Sequence, residues 1–498
     1  MSPREYILVT DPATQFPQIL GEVQAEPNIS IDTETTSIDV PTFGPDARLF
    51  GISIAPTPQR AYYLPLGHEG EYQPALNLDA DLVARFMTDV YMTGVPVVYH
   101  NAGYDRSVLA KHLGLSAQLT SNYHDTVLLA HLMNENQPLG LKALAVKYLG
   151  VRPEVGKLDP DLEGFIERML VQEERQVPNK LGRLYKKKFY EPQADWLSQL
   201  TDDFARKAGG AASYRYVLSL TQKFWSVFKA HDVEGYDQLP KPLDFRWVPQ
   251  GIASIYASDD VMNTLALYRL WDATFFDLNP ELHRLYREIE QPVDDRMTRA
   301  TIQGIPTNRQ YLLDMKQELS RRTADARQTA LTAAESLITP GDERFNTETL
   351  LTSSKQLQTL LFDELGFPVL SRTEKGAPQT SKDVLGKLLK ERPRKAPQKL
   401  AAAQEFIRAK LQVADLEKIS GTYTDGLLEK LDEHDRIHPT YNVAGTVSGR
   451  MSSNQPNFQN MPRLLPEELK DRQWLAGIDI RRAFEAEPGY VYVDVDLI

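Results

Sequence analysis

The stretch "SIDTETTS" places Asp32 and Glu34 two residues apart on a segment that reads as a strand. Alternate residues of a strand leave the same face, so the two carboxylates sit roughly 7 Å apart along the chain. Two carboxylates aimed at one point repel, and a divalent cation is the usual resolution. A solvent-facing strand would carry the same D-x-E, so further groups must decide. "VVYHNAGYDRSVLA" runs from a buried strand into a helix, with Asn101, Tyr104 and Asp105 at the junction. Such strand ends are where α/β folds gather functional groups. "IYASDD" reads as the start of a helix and puts Tyr256 and Asp260 on one helical face, four residues apart. Asp259 then points elsewhere, as a surface or helix-start residue. Cysteine is absent and the nine histidines show no ligand spacing, so a metal would rest on carboxylates, which suit Mg²⁺ or Mn²⁺.

The elements that must position these groups follow from hydrophobic periodicity. "NISIDTET", "LFGISIAP", "RAYYLPLG" and "VPVVYHN" read as strands, the middle two as a hairpin pair, while "DTVLLAHLMN" and "LKALAVKYLG" read as helices. Residues 1–150 therefore form an α/β domain with a mixed sheet. Residues 151–250 read as mostly helical and charged, and 252–275 as one long helix with an apolar stripe. Beyond Pro292 the chain is helix-rich. "SSKQLQTLLFDELG" has a Ser cap, Leu357, Leu360, Leu361 and Leu365 on one face, and Gly366 as its stop. From about Arg436 short strands return. The last of them, "GYVYVDVDLI", alternates Val491, Val493 and Val495 with Tyr492, Asp494 and Asp496.

Composition is that of an ordinary globular chain, with 42% hydrophobic and 25% charged residues over 498 positions, enough for two to four domains. No apolar run approaches a membrane span, and the N-terminus lacks the order of a signal peptide. A reducing cytoplasm fits a chain without cysteine. The net charge of -12 argues weakly against nucleic acid, but "NKLGRLYKKKFY" (179–190) and "KLLKERPRKAPQK" (387–399) are local basic stretches. Each alone would more often be a solvated face.

The ordered set D-x-E, N-x-x-x-D and Y-x-x-x-D resembles the three motifs of DnaQ-like 3′→5′ proofreading exonucleases that end on a tyrosine. The resemblance implies a ribonuclease H-like fold in which Asp32, Glu34, Asp105 and Asp260 hold two metal ions, with Tyr256 and Glu34 orienting a water. Two such ions stabilise the attacking and leaving oxygens of phosphodiester hydrolysis. It also implies a grip on a single-stranded 3′ end by Thr35, Ile38, Asn101 and Tyr104, with Ile38 wedged against the terminal bases. The stretch 151–250 is longer than its counterpart in bacterial members, and no residue is carried over there.

Beyond residue 285 the chain resembles family A DNA polymerases, the bacterial DNA polymerase I group. The most specific element is "SGRMSSNQPNFQNMP" (448–462), against the family's T-G-R-L-S-S-x-x-P-N-L-Q-N-I-P; Ser448, Met451, Phe458 and Met461 depart mildly. Donors of this kind suit the minor-groove acceptors common to all base pairs. The resemblance implies that Arg450 meets the primer terminus and that Asn457, Gln459 and Asn460 approach template and primer. It gives Lys355 and the 387–399 run a hold on duplex phosphates, and it sets Arg481 or Arg482, ahead of "AFEA", to face incoming phosphates. "YVYVDVD" is similar to the family's motif A strand, making Asp496, not Asp494, the metal-binding aspartate of an incomplete polymerase site.

The expected architecture is thus α/β. An exonuclease domain spans 1–285, with an insertion at about 151–250. The start of the polymerase domain and a helical thumb occupy 286–435, and 436–498 form the first part of an α+β palm ending in motif A. Expected partners are DNA, as a single-stranded 3′ end and as primer–template duplex, and no membrane. The fingers, the glutamate after motif A and the later metal-binding aspartate are absent from the sequence, so the expectation is a chain that degrades 3′ ends without polymerising. A truncated reading frame, a separate polypeptide carrying the fingers and remaining palm, or a trans-splicing half would each give this stop. With no 5′-nuclease domain ahead of it, the chain is more similar to compact phage polymerases, acting in the cytoplasm or nucleoid of a bacterial host. Two rivals are a non-catalytic DNA-binding clamp, which the complete carboxylate set disfavours, and an exonuclease acting on RNA, which leaves 290–498 unexplained.

Overall fold

The computed structural model describes residues 3–36, 42–44, 46–69, 76–151, 162–178, 184–193, 196–208, 214–231, 233, 244–462 and 472–493. Ile38, Asp494 and Asp496 lie outside the described residues. By internal contact the chain divides into two compact units, residues 1–304 with 438–457, and residues 305–437 with 458–498.

The first unit is built on a six-stranded mixed sheet. Its strands are β1 (Glu5–Leu8), β2 (Ile29–Thr35), β3 (Leu49–Thr57), β4 (Arg60–Pro65), β5 (Val97–Tyr99) and β6 (Tyr123–Asp125), in the order β1-β4-β3-β2-β5-β6. β3 pairs antiparallel with β2 and β4, the hairpin read from the sequence, while β2–β5, β5–β6 and β1–β4 are parallel. Period-two alternation sorts the strands between two cores. Ile29 and Ile31 of β2, Ile52 and Ile54 of β3, and Tyr62 and Leu64 of β4 share one cluster with Phe16, Ile19, Phe86 and Val90 from the helices Pro12–Gln24 and Ala80–Met92. The other face of the sheet is covered by the helix Gln250–Trp271, which packs on β1 to β5. That helix is buried almost all round, which is why it is apolar on nearly every side rather than striped.

Residues 162–249 add the helices Leu162–Glu167, Trp196–Ala208 and Tyr214–Ala230. They also add an antiparallel pair, β7 (Leu170–Pro178) with β8 (Leu184–Pro192), in a stretch expected to be mostly helical. Trp196, Phe224, Trp225 and Phe228 form an aromatic core that joins Phe50, Tyr63 and Tyr256.

In the second unit the helix Arg309–Leu337, capped by the side chain of Asn308 on Tyr311 N–H, lies along the helix Leu400–Ile419. Ser353 caps the helix Ser354–Gln358, which continues as a π-turn through Glu364. Leu357, Leu360, Leu361 and Leu365 are all buried there, and Gly366 ends the segment at φ 77°. Short strands do return after Arg436: β10 (Arg436–Ile437) pairs β9 (Ile305–Pro306), and in the first unit β11 (Thr440–Asn442) pairs β12 (Ser452–Asn454). The closing strand is different. Tyr490–Val493 form none and are exposed, from 60% to 81% by residue. Alternation makes a strand only where another strand satisfies its backbone, and no pairing reaches these residues among those described.

Candidate active site

Three elements bring the acidic groups of the first unit together. β2 carries Asp32 and Glu34, the helix Ala102–Leu113 carries Asp105 in its first turn, and the helix Gln250–Trp271 carries Tyr256 and Asp260. Tyr256 and Asp260 lie about two and three turns into that helix rather than at its start, because the helix begins at Gln250 after Pro249. Glu34 and Asp105 are buried, at 6% and 2% exposure. Asp105 accepts hydrogen bonds from Thr33, from N–H at 2.9 Å and from Oγ1 at 2.7 Å, which ties it to the strand of Asp32 and Glu34.

Burial makes each of these carboxyls reluctant to ionise, and their neighbours add to it. Asp32 is raised well above the usual carboxylate range by burial, then by the charges of Asp105, Glu34 and Asp260. Burial, then Asp260, raises Glu34. Burial pushes Asp105 up to about 7 despite the Thr33 bonds that pull it down. Asp260 is raised by burial, with Lys142 and a hydrogen bond from Tyr256 acting against it. Lys142 forms an ion pair with Asp260 and stands 4.9 Å from the centre of the Tyr256 ring.

Among the described residues, no three His, Asp or Glu stand at the spacing of a formed metal site. The donor chemistry fits a divalent ion all the same. Four oxygen-donor groups crowd into low-dielectric surroundings where each raises another's proton affinity, and a cation, the Lys142 ammonium, already sits against one of them.

Of the residues read as gripping a single strand, Thr35, Asn101 and Tyr104 are on β2 or at the start of the helix that carries Asp105. Thr35 Oγ1 and Tyr104 Oη are 2.5 Å apart, joining β2 to the helix Ala102–Leu113. Asn101 precedes that helix in the left-handed conformation, at φ 78°. Asn101 and Tyr104 line a narrow crevice with Thr298, Thr301, His438 and Tyr441.

Several participants went unread in the sequence. Lys142 is one; its signal was a lysine in the first turn of a helix, where the helix dipole disfavours it. Asp125 is another, since its local role as cap of the helix Thr126–Met133 hides its bonds to Asn101 and Ala102. Asp259 is neither a surface nor a helix-start residue. It is 2% exposed and holds Arg4 Nη1 at 2.5 Å and Tyr6 Oη at 3.1 Å, because Arg4, 255 residues away, and Tyr6 of the adjoining β1 supply its partners.

In the polymerase-like part, Arg450 and Asn457 are exposed in the first unit, and Gln459 and Asn460 are exposed on the turn Phe458–Asn460 of the second. Lys355 is exposed as well. Within the basic run, Lys395 donates to the carbonyl of Asp363 at 2.6 Å and Lys399 to that of Leu337 at 2.8 Å, so these two finish helical segments. Lys387, Lys390, Arg392 and Arg394 are the members left on the surface or partly so.

Residues 7–173 match the 3′-5′ exonuclease family and residues 309–498 match DNA polymerase family A. Over 495 residues, 98% of the chain, it is 26% identical to a DNA polymerase I of Chloroflexus aurantiacus, and over 497 residues it is 27% identical to one of Pseudomonas aeruginosa. Over 260 residues, half of the chain, it is 30% identical to a thermostable DNA polymerase I of Thermus aquaticus. The chain spans 40% of the first of these relatives and 42% of the second. In fold it is similar to the POL domain of Pol1 from M. smegmatis, solved with DNA primer–template and dNTP, at a TM-score of 0.50 and 19% identity, covering 97% of this chain and 59% of that one. The mixed α/β architecture of the chain agrees with that likeness.

Proposed function

We propose that the chain hydrolyses DNA from the 3′ end at the carboxylate cluster of its first unit, and that residues 286–435 and 436–498 serve as the start of a family A polymerase domain with its thumb and the first part of a palm that bind primer–template duplex. The observation that carries the nuclease reading is the crowding of Asp32, Glu34, Asp105 and Asp260, each held where ionisation is disfavoured, with one ammonium in contact. The names of the relatives, DNA polymerase I, support DNA as the substrate.

Asp32, Glu34, Asp105 and Asp260 would hold two divalent ions, Mg²⁺ or Mn²⁺, whose chemistry is to stabilise charge on the phosphate and to acidify a water. The chain's own groups do the remainder. Tyr256, bonded to Asp260, and Glu34 orient the attacking water. The Thr35–Tyr104 bond fixes the floor on which the terminal nucleotide rests, with Asn101 at the start of the same helix. The buried setting of Glu34 and Asp105 keeps bulk water from competing for them. In the polymerase-like part, Arg450, Asn457, Gln459 and Asn460 approach the minor groove, and Asp496 offers a metal carboxylate.

The test is a 5′-labelled single-stranded oligodeoxynucleotide with Mg²⁺. The chain is expected to shorten it stepwise from the 3′ end, and Asp32→Ala to lose on the order of a thousandfold in rate while still binding the strand. A folded, DNA-binding but inactive wild-type chain would leave the clamp reading in its place. Faster shortening of the RNA of the same sequence would move the substrate class to RNA.

A further inference from the structure

Lys142 stands where helix electrostatics alone would not put it. It is the second residue of the helix Leu141–Leu149, whose first turn holds no acidic residue and whose cap, Gly140, makes no side-chain bond. The orphan N–H groups of such a turn carry partial positive charge, so a cation there is disfavoured unless something else holds it. Asp260 does, from the helix Gln250–Trp271 packed alongside. Both side chains are largely withdrawn from water, 20% exposed for Lys142 and 13% for Asp260. The face of Tyr256 gives the ammonium a second contact. Its influence extends to Asp32 and Glu34, whose ionisation it eases. One side chain thus supplies a positive charge to three of the four carboxyls, at the place where a divalent ion would have to bind.

We propose that Lys142 is a built-in counter-cation of the carboxylate cluster. Its ammonium holds Asp260 in the metal-free protein and is given up as a divalent ion enters, so that this lysine sets the ion concentration at which the site assembles. The inference rests on the reading of the four carboxyls as a metal site. Ammonium and divalent ion compete for one carboxylate, and close approach of the two cations is repulsive. The same side chain therefore steadies the empty site and weakens ion binding. Arginine, with a planar fork that grips a carboxylate through two bonds, should compete harder than lysine, and methionine should not compete at all.

The experiment titrates Mn²⁺ into the full chain, reading free ion by electron paramagnetic resonance, with thermal unfolding measured in EDTA and in saturating Mn²⁺. Lys142→Met is expected to bind Mn²⁺ about fivefold more tightly than wild type, the worth of one partly exposed ion pair. Lys142→Arg should bind more weakly. In EDTA Lys142→Met should unfold at a lower temperature than wild type, with the deficit shrinking in Mn²⁺. Lys142→Gln carries the same expectations as Lys142→Met and serves if the latter does not fold. Equal or weaker binding by the neutral variants, with binding lost in Asp32→Ala, overturns the counter-cation role and leaves the metal site standing. A wild-type chain that binds no Mn²⁺, or binds it equally well as Asp32→Ala, overturns both.

Discussion

Oδ2 of Asp125 accepts the backbone N–H of Ala102 at 2.7 Å. Oδ1 takes Val127 N–H at 2.7 Å and Asn101 N–H at 3.1 Å, so one buried carboxylate caps its own helix and the helix that carries Tyr104 and Asp105. The latter helix has no cap of its own, because Asn101 is left-handed and makes no side-chain bond to it. Asp125→Ala would orphan three N–H groups and is expected to cost about 2–4 kcal/mol of stability. Urea unfolding reads that loss. Single-turnover hydrolysis should slow as well, since the first turn holding Asp105 loses its anchor, whereas an unchanged rate would confine Asp125 to folding.

Gly51 faces Glu34 across the β2–β3 ladder and Pro65 across β3–β4. A Cβ at this glycine would lie 2.1 Å from Tyr63 Oη, which itself meets Nε2 of His68 at 2.7 Å. The tyrosine ring occupies the space a side chain would take, and the buried surroundings give it nowhere to retreat. Gly51→Ala is expected to destabilise the chain by about 1–3 kcal/mol through overpacking, read as a lowered thermal midpoint. Hydrolysis should fall with it, because the strand displaced is the one paired with Glu34.

How much of this site is legible in the sequence depends on the range of the interaction. D-x-E on β2 is readable because strand period alone sets both carboxyls on one face, and Tyr256 with Asp260 because helix period does the same. Ser353, Leu357 and Gly366 are readable for a similar reason, since cap, stripe and stop follow one another along a single helical segment. Lys142 with Asp260, Arg4 with Asp259 and Asp125 with Ala102 are not, since each joins separate elements whose packing no local pattern specifies. The alternation at Tyr490–Val493 is the converse case, a strand pattern that no pairing strand takes up among the described residues.

Asp259 gives that lesson a measurable form. Its carboxylate holds Arg4, and Arg4 Nη2 also reaches Asn263 Oδ1 at 2.6 Å, fastening β1 to the helix that carries Asp260. Asp259→Ala would leave a guanidinium that is 17% exposed without its counter-ion, at an expected cost of about 2–4 kcal/mol. Adding Arg4→Met should recover most of that loss in the double variant, because the unpaired charge is then gone. Equal stabilities of wild type and Asp259→Ala would return the residue to the surface role its sequence suggested.

The pH dependence of stability has a second buried carboxyl at its centre. Asp294, on the helix Gln291–Gln303, accepts the Tyr123 hydroxyl at 2.6 Å. Burial and the charge of Asp125, then Asp295, push it up to about 7, against the Tyr123 bond and the Arg106 guanidinium that pull it down. A carboxyl raised on folding binds more protons folded than unfolded. Its contribution to stability is therefore greatest below the ordinary aspartate range of about 4 and declines as pH rises toward 7. Asp294→Asn keeps an oxygen for Tyr123 and cannot ionise. It is expected to flatten the fall in unfolding free energy between pH 5 and pH 8, seen by urea titration in EDTA, and to gain on the wild type most at the upper end. A variant that tracks the wild type across the whole range would place the ionisation of Asp294 elsewhere and assign the slope to the carboxyls around Asp32, whose shifts have the same sign.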